Sequence, residues 1–119
     1  MTKEQFVESV KHEASDAAIR STLEMLLKPS GRRPSEQTLE LASWYRNLSS
    51  EDKGRIEIIV REAAESAVFG LLAILDGVRV VEGPGEKGEF ELFYRKGAQR
   101  VLLNDPNQEL LHDVFSHSQ

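Results

Sequence analysis

Ser50–Asp76 reads SEDKGRIEIIVREAAESAVFGLLAILD. Its spacing predicts one helix, about 40 Å long at 1.5 Å per residue. At 100° per residue, Ile56, Ile59, Val60, Ala63, Ala67, Leu71 and Ile74 fall on one stripe, with Glu57, Arg61, Glu62 and Glu65 off its centre. The first half is therefore amphipathic. From Ala67 to Leu75 the polar face disappears, because Val68, Phe69, Leu72 and Leu75 are apolar on the other sides. A helix apolar all round is buried all round, so this half is expected at the centre of the core. Gly70 sits there at a cost of about 1 kcal/mol against alanine, which predicts close approach of another helix or a strand. Ser49 or Ser50 caps the start, with Glu51 and Asp52 at the positive end of the dipole, and Gly77 supplies a left-handed cap at the other end.

On the N-terminal side, Thr2 and Gln5 form a capping-box pattern, followed at helical spacing by Phe6, Val7, Val10 and Ala14. The pattern continues to Leu26 and Leu27, with Ser15-Asp16 expected as a break and fresh N-cap. Two prolines and a glycine make Lys28–Pro34 a loop, locally basic through Lys28, Arg32 and Arg33. Its cations suit the C-terminal end of the helix before it. Ser35 then caps a helix to about Leu48. Leu41, Trp44, Tyr45 and Leu48 form its core stripe, and the single Trp of the chain is expected to fill the centre.

Beyond Gly77 the period becomes two. Val78–Glu82, Glu89–Arg95 and Gln99–Asn104 read as an antiparallel meander of three strands. Gly97-Ala98 suits a type II′ turn, which pairs Tyr94 with Val101 and Leu92 with Leu103. Phe90, Leu92, Tyr94, Val101 and Leu103 then face the long helix, joined by Val78 and Val80. Arg79, Glu91, Phe93, Arg95, Arg100 and Leu102 share the outer face, with Arg95 directly opposite Arg100. Like charges across a ladder destabilise it. Two arginines beside apolar Phe93 and Leu102 therefore make this face a candidate protein contact. Asp105-Pro106 opens a last helix carrying Leu110, Leu111, Val114 and Phe115, and His117, Ser118 and Gln119 are expected to fray. The fold class is α+β in one domain over 1–119: N-terminal helices, a long buried helix between them and the meander, and a short final helix.

The 119 residues are 39% hydrophobic and 29% charged, as in ordinary globular proteins, with no cysteine and a net charge of −5. There is no disulfide framework or thiol nucleophile, which suits a reducing cytosol. The acidity gives no global attraction to nucleic acid or anionic membrane and favours a basic partner. MTKEQFVESVKHE lacks the apolar core of a signal peptide, and Ala67–Leu75 is about half of a membrane span.

Gly83-Pro84-Gly85-Glu86-Lys87-Gly88 matches G-x-G-x-x-G, but a phosphate-binding version needs a helix start after the glycines and a strand is expected instead. The three histidines lack metal-ligand spacing, His112 and Asp113 point in different directions, and no serine sits in a nucleophile elbow. No catalytic residue, metal ligand or cofactor is assigned.

From Trp44-Tyr45 through Asp76-Gly77-Val78-Arg79, and again at Leu103-Asn104-Asp105-Pro106, the chain resembles small bacterial proteins without an assigned activity. In size, acidity and lack of cysteine it is similar to immunity proteins that neutralise bacterial toxins. The acidity, the lack of a catalytic motif and the outer face of the sheet lead to the expectation of a non-enzymatic, cytoplasmic protein-binding domain, and the resemblance implies an immunity protein whose partner is a basic toxin. Two other readings stay open: a ligand-binding or enzymatic domain with a pocket between sheet and helices, and a structural homodimer through the edge strand Val78–Glu82 or Gln99–Asn104.

Overall fold

A computed structural model describes residues 1–118. Helices α1 (Lys3–Val10) and α2 (Ala17–Leu27) are joined through a π-helical segment, Lys11–Asp16. Thr2 and Gln5 complete the capping box of α1. The break expected at Ser15-Asp16 is instead a widened helical turn. Asp16 makes no side-chain cap, while the buried Ser15 hydroxyl donates to the Lys11 carbonyl at 2.9 Å. The Lys28–Pro34 loop follows. The cation that reaches the end of α2 comes from beyond this loop: Arg46 Nη1 donates to the Leu27 carbonyl at 3.4 Å.

Helix α3 (Glu36–Arg46) is capped by the Ser35 hydroxyl, as expected, and packs on α2. Its buried face is centred on Ala42 and Tyr45, and Lys53 of the next helix lies over the Tyr45 ring. Trp44 is a 100° step off that face and half exposed (50%), and Leu41 is exposed as well. The expected placement of Trp44 in the core is therefore wrong.

Helix α4 (Ser50–Leu75) is the long helix, capped by Ser49. Its C-terminus is a Schellman motif. Gly77 has φ +77°, its N–H donates to the Ile74 carbonyl at 3.0 Å, and Val78 N–H donates to Ala73 at 3.0 Å. The core is built on Leu72 (1% exposed), Val7, Leu111 and Phe115, with Phe6, Val68, Phe69, Leu75, Leu92 and Val114 around them. The second half of α4 reaches the core, but on one side alone. Ala67 and Leu71 (57% exposed) face solvent, which corrects the expectation of burial on every side.

Strands β1 (Phe93–Lys96) and β2 (Gln99–Leu102) form a two-stranded antiparallel hairpin. Tyr94 opposes Val101 and Arg95 opposes Arg100, the register read from the turn. Gly97 has φ +59° and Ala98 a negative φ, as a type II′ turn requires. The third strand is absent. Val78 and Arg79 both donate to the Ala73 carbonyl, so this segment closes the helix instead of pairing with the hairpin. The hairpin also stops short of Leu92. Leu103 N–H donates to the Leu92 carbonyl at 2.8 Å, but the next rung is made by the Asn104 side chain. Neither strand lies flat on a helix, so α4 is not sandwiched between helices and a sheet.

Helix α5 (Leu111–His117) packs on α4 and α1. It begins later than expected. Asp105 instead holds a tight turn, accepting from Asn107 N–H at 2.9 Å. Of the three residues expected to fray, His117 is helical, Ser118 donates to Phe115 through its N–H at 3.2 Å, and Gln119 lies outside the described residues. No described helix is long and apolar enough to cross a membrane.

Gly70 has a different cause from the one expected. Arg79 folds back along α4 and sets Nη1 2.5 Å from where a Cβ on Gly70 would stand. The neighbour is the tip of a flexible side chain, not a helix or strand. Gly70→Ala is accordingly expected to stabilise the chain by up to about 1 kcal/mol, the helix-propensity difference, while unseating Arg79. A thermal melt reads the first effect; faster proteolysis after Arg79 reads the second.

Candidate functional site: an exposed loop and hairpin fastened by a polar clamp

From Asp76 to Leu92 the chain has no helix or strand. Structureless loops beyond about 12–15 residues are uncommon in compact domains unless they are functional or disordered. Every residue from Gly77 to Glu91 is exposed. The loop carries Val80 (62% exposed), Val81 and Phe90 (52%) among acids Glu82, Glu86, Glu89 and Glu91. Apolar groups left more than half exposed contribute less to the fold than the buried core does.

Both ends are fastened. At the start, the Schellman turn and Arg79 hold the chain to α4. At the end, buried Asn104 donates through Nδ2 to the Leu75 carbonyl at 2.7 Å and the Phe90 carbonyl at 2.8 Å. Its Oδ1 accepts Leu92 N–H at 2.8 Å. One side chain thus ties the end of α4 to the base of the hairpin. Within the loop, Gly88 N–H donates to Glu82 at 2.8 Å, closing the Gly83–Gly88 segment as a turn. No helix follows those glycines, so the G-x-G-x-x-G match has no phosphate-binding context.

Of the six outer-face residues, Phe93, Arg95, Arg100 and Leu102 share one face of the hairpin. Phe93 is exposed and Leu102 half-buried. Of the opposed arginines, Arg100 lies over the Phe93 ring, 3.9 Å from its centroid, a cation–π contact. Glu91 is exposed but precedes the strand. Arg79 belongs to the loop's first anchor and not to this face. Val78–Glu82 forms no strand and so is not an edge of this sheet.

A second polar arrangement was not predicted. Asp76 has a side chain with 0% exposure, and its Oδ2 accepts both His112 N–H at 2.9 Å and His112 Nδ1 at 2.7 Å. Phe69 stacks edge-on against the imidazole, 5.4 Å between centroids. Nε2 faces Asp113 Oδ1 at 3.4 Å. Among the described residues no hydroxyl hydrogen-bonds to this ring. Asp76 supplies the start of α5 with the cap that Leu110 lacks. One signal for it is present in the sequence. An acid on the last turn of a helix meets the negative end of the dipole, which is unfavourable unless a donor waits for it.

Concavities lie among the helices. One of about 690 Å³ has Ile19 and Leu23 with Lys11, Asp16, Arg61 and Glu65 around it, where Arg61 pairs with Glu65 at 3.7 Å. Another, about 290 Å³, lies between α4 and α5 beside Phe69, Phe115 and Arg79. No hairpin residue lines either one. Among the described residues no group of His, Cys, Asp and Glu is arranged to hold a metal ion. No family model matches the chain, and neither the curated proteins nor the solved structures contain a match.

Proposed function

We propose that this chain is a cytoplasmic protein-binding domain, not an enzyme, and that it acts as an immunity protein by occluding a basic bacterial toxin. One observation carries the reading: a long, wholly exposed loop, pinned at both ends, with exposed Val80, Val81 and Phe90 beside its anchors and next to a hairpin face that carries Phe93, Arg95 and Arg100. An anchored loop loses less conformational freedom on binding than a free one, so its apolar groups convert more fully into affinity. The loop's acids and the net charge of −5 favour a basic partner and speed its encounter.

The test is to express each protein encoded beside this one in a susceptible host, with and without this chain. Rescue of growth and co-elution of the pair are expected for one of them. Val81→Ser with Phe90→Ser is expected to abolish both while shifting stability by no more than about 0.5 kcal/mol, since both side chains are exposed. Neighbours that are all harmless, or rescue that survives the double variant, would remove this reading.

A further inference from the structure

The stripe that the periodicity marks as apolar is the side of α4 turned to water. The helices that pack on α4 cover the opposite side, around Leu72. On the open side Ile59 (61% exposed), Ala63, Ala67 and Leu71 are exposed, with Ile56 and Ile74 half-buried at the two ends. Scattered exposed apolar residues need no explanation, but a continuous stripe along a helix does.

The whole molecule is short of burial to match. It exposes 8593 Å² at a mass of 13.4 kDa, against roughly 6,500 Å² for a folded monomer of that mass. Its radius of gyration is 18.4 Å, where about 13.5 Å is usual for a chain of this length. The excess of roughly 2,000 Å² includes the loop and hairpin, and it is comparable with one chain's share of an obligate homodimer interface, about 1,000–2,500 Å².

We infer that the open face of α4 seats α4 of a second copy of this chain, antiparallel about a two-fold axis. The order of residues along the stripe supports this occupant. Apart from Val60, which falls opposite Gly70, it reads the same from either end: large at Ile56 and Ile59, small at Ala63 and Ala67, large at Leu71 and Ile74. A two-fold axis beside position 65 sets Ile56 against Ile74 of the second copy, Ile59 against Leu71, and Ala63 against Ala67. Isologous contacts require such self-complementarity. The central alanines let the two backbones approach closely, and the large residues close the ends. Antiparallel packing also sets the positive end of each helix dipole beside the negative end of the other. Arg79, at the start of the loop, lies against Gly70 at the edge of this face, so the seam adjoins the loop proposed to bind the toxin but includes neither Val81, Phe90 nor the hairpin.

Sedimentation equilibrium at micromolar concentration is expected to give twice the chain mass. Ala67→Glu buries a charge at the centre of the seam and is expected to weaken the dimer at least about 100-fold. Ala67 is exposed within one chain, so the circular dichroism of the variant should stay helical. The chain has no cysteine, which makes orientation directly testable. A mixture of Ile56→Cys and Ile74→Cys chains is expected to cross-link on oxidation, and neither alone, because positions 56 and 74 lie about 27 Å apart along the axis. A monomeric wild type would overturn the inference and assign the face to a different protein. So would a dimer that survives Ala67→Glu, or one in which either single-cysteine chain cross-links with itself. Loss of toxin rescue with the dimer intact would strike the proposed function alone.

Discussion

Asn104→Ala is expected to lower the stability of the chain by about 3–5 kcal/mol, a large effect for one side chain. Three hydrogen bonds end on that amide, and all three partners are backbone groups: the Leu75 and Phe90 carbonyls and Leu92 N–H. Alanine removes the bonds without bringing water to groups packed around a buried residue. Each orphaned group then costs about 1–3 kcal/mol, reduced by whatever the backbone recovers on relaxing. For a domain near this size the melting point should fall by on the order of 10–20 °C. Asn104→Asp separates the amide's donors from its acceptor. A carboxylate can still accept Leu92 N–H, but it sets a negative charge against two carbonyl oxygens, so aspartate should be no better than alanine. Thermal and urea melts of the two variants read these effects, and amide exchange at Leu92 locates them. Loss of the clamp should also free the loop, so that proteolysis between Gly77 and Glu91 rises before global unfolding. A cost below about 1 kcal/mol with Leu92 still protected would mean that the clamp carries no weight.

The clamp also shows where local sequence ceases to be informative. Alternation of apolar and polar residues located the hairpin, and Gly97-Ala98 fixed its register down to Arg95 opposite Arg100. The ends of α4 were legible because Ser49 and Gly77 act through bonds to residues a few positions away. Val78–Glu82 alternates equally well. Alternation states that a strand would suit the segment, and pairing depends on where the preceding turn sends the chain. Here the Schellman turn spends the first N–H groups on Ala73. Asn104 and Asp76 act across long stretches of chain, and no local pattern marks such partners. The stripe of α4 was misassigned for a related reason. Periodicity finds an apolar face but not its occupant, and Leu72, Val68 and Phe69 on the other side are the residues that meet α1 and α5. Of the candidate binding surface, the hairpin face was legible through Phe93, Arg95, Arg100 and Leu102. The exposed loop was not, because the alternation at Val78–Glu82 has the pattern of a strand.

Asp76→Ala is expected to cost about 2–4 kcal/mol and to unravel the start of α5 first. Asp76 Oδ2 accepts two hydrogen bonds from His112, one from the backbone and one from the ring. Loss of an N-cap accounts for about 0.5–2 kcal/mol. A buried ring donor left without an acceptor adds about 1–3 kcal/mol. Part of the sum is returned, because the wild type keeps a buried carboxylate whose Oδ1 has no hydrogen-bond partner among the described residues. Asp76→Asn should fall between wild type and alanine. Its carbonyl can still cap α5, while its NH₂ meets the site where Oδ1 found no donor. His112→Phe keeps a ring edge-on to Phe69 and removes only the side-chain donor. In that background Asp76→Ala should cost about 1–2 kcal/mol less than it does alone, the coupling expected of two groups in direct contact. Additive costs would assign the Asp76 effect to the cap alone. Because α5 supplies Leu111 and Phe115 to the same core as Leu72 and Val7, fraying at its first turn spreads to α1. Amide exchange in α1 should therefore quicken in Asp76→Ala, and the α2–α3 pair, which packs apart from this cluster, should keep its protection.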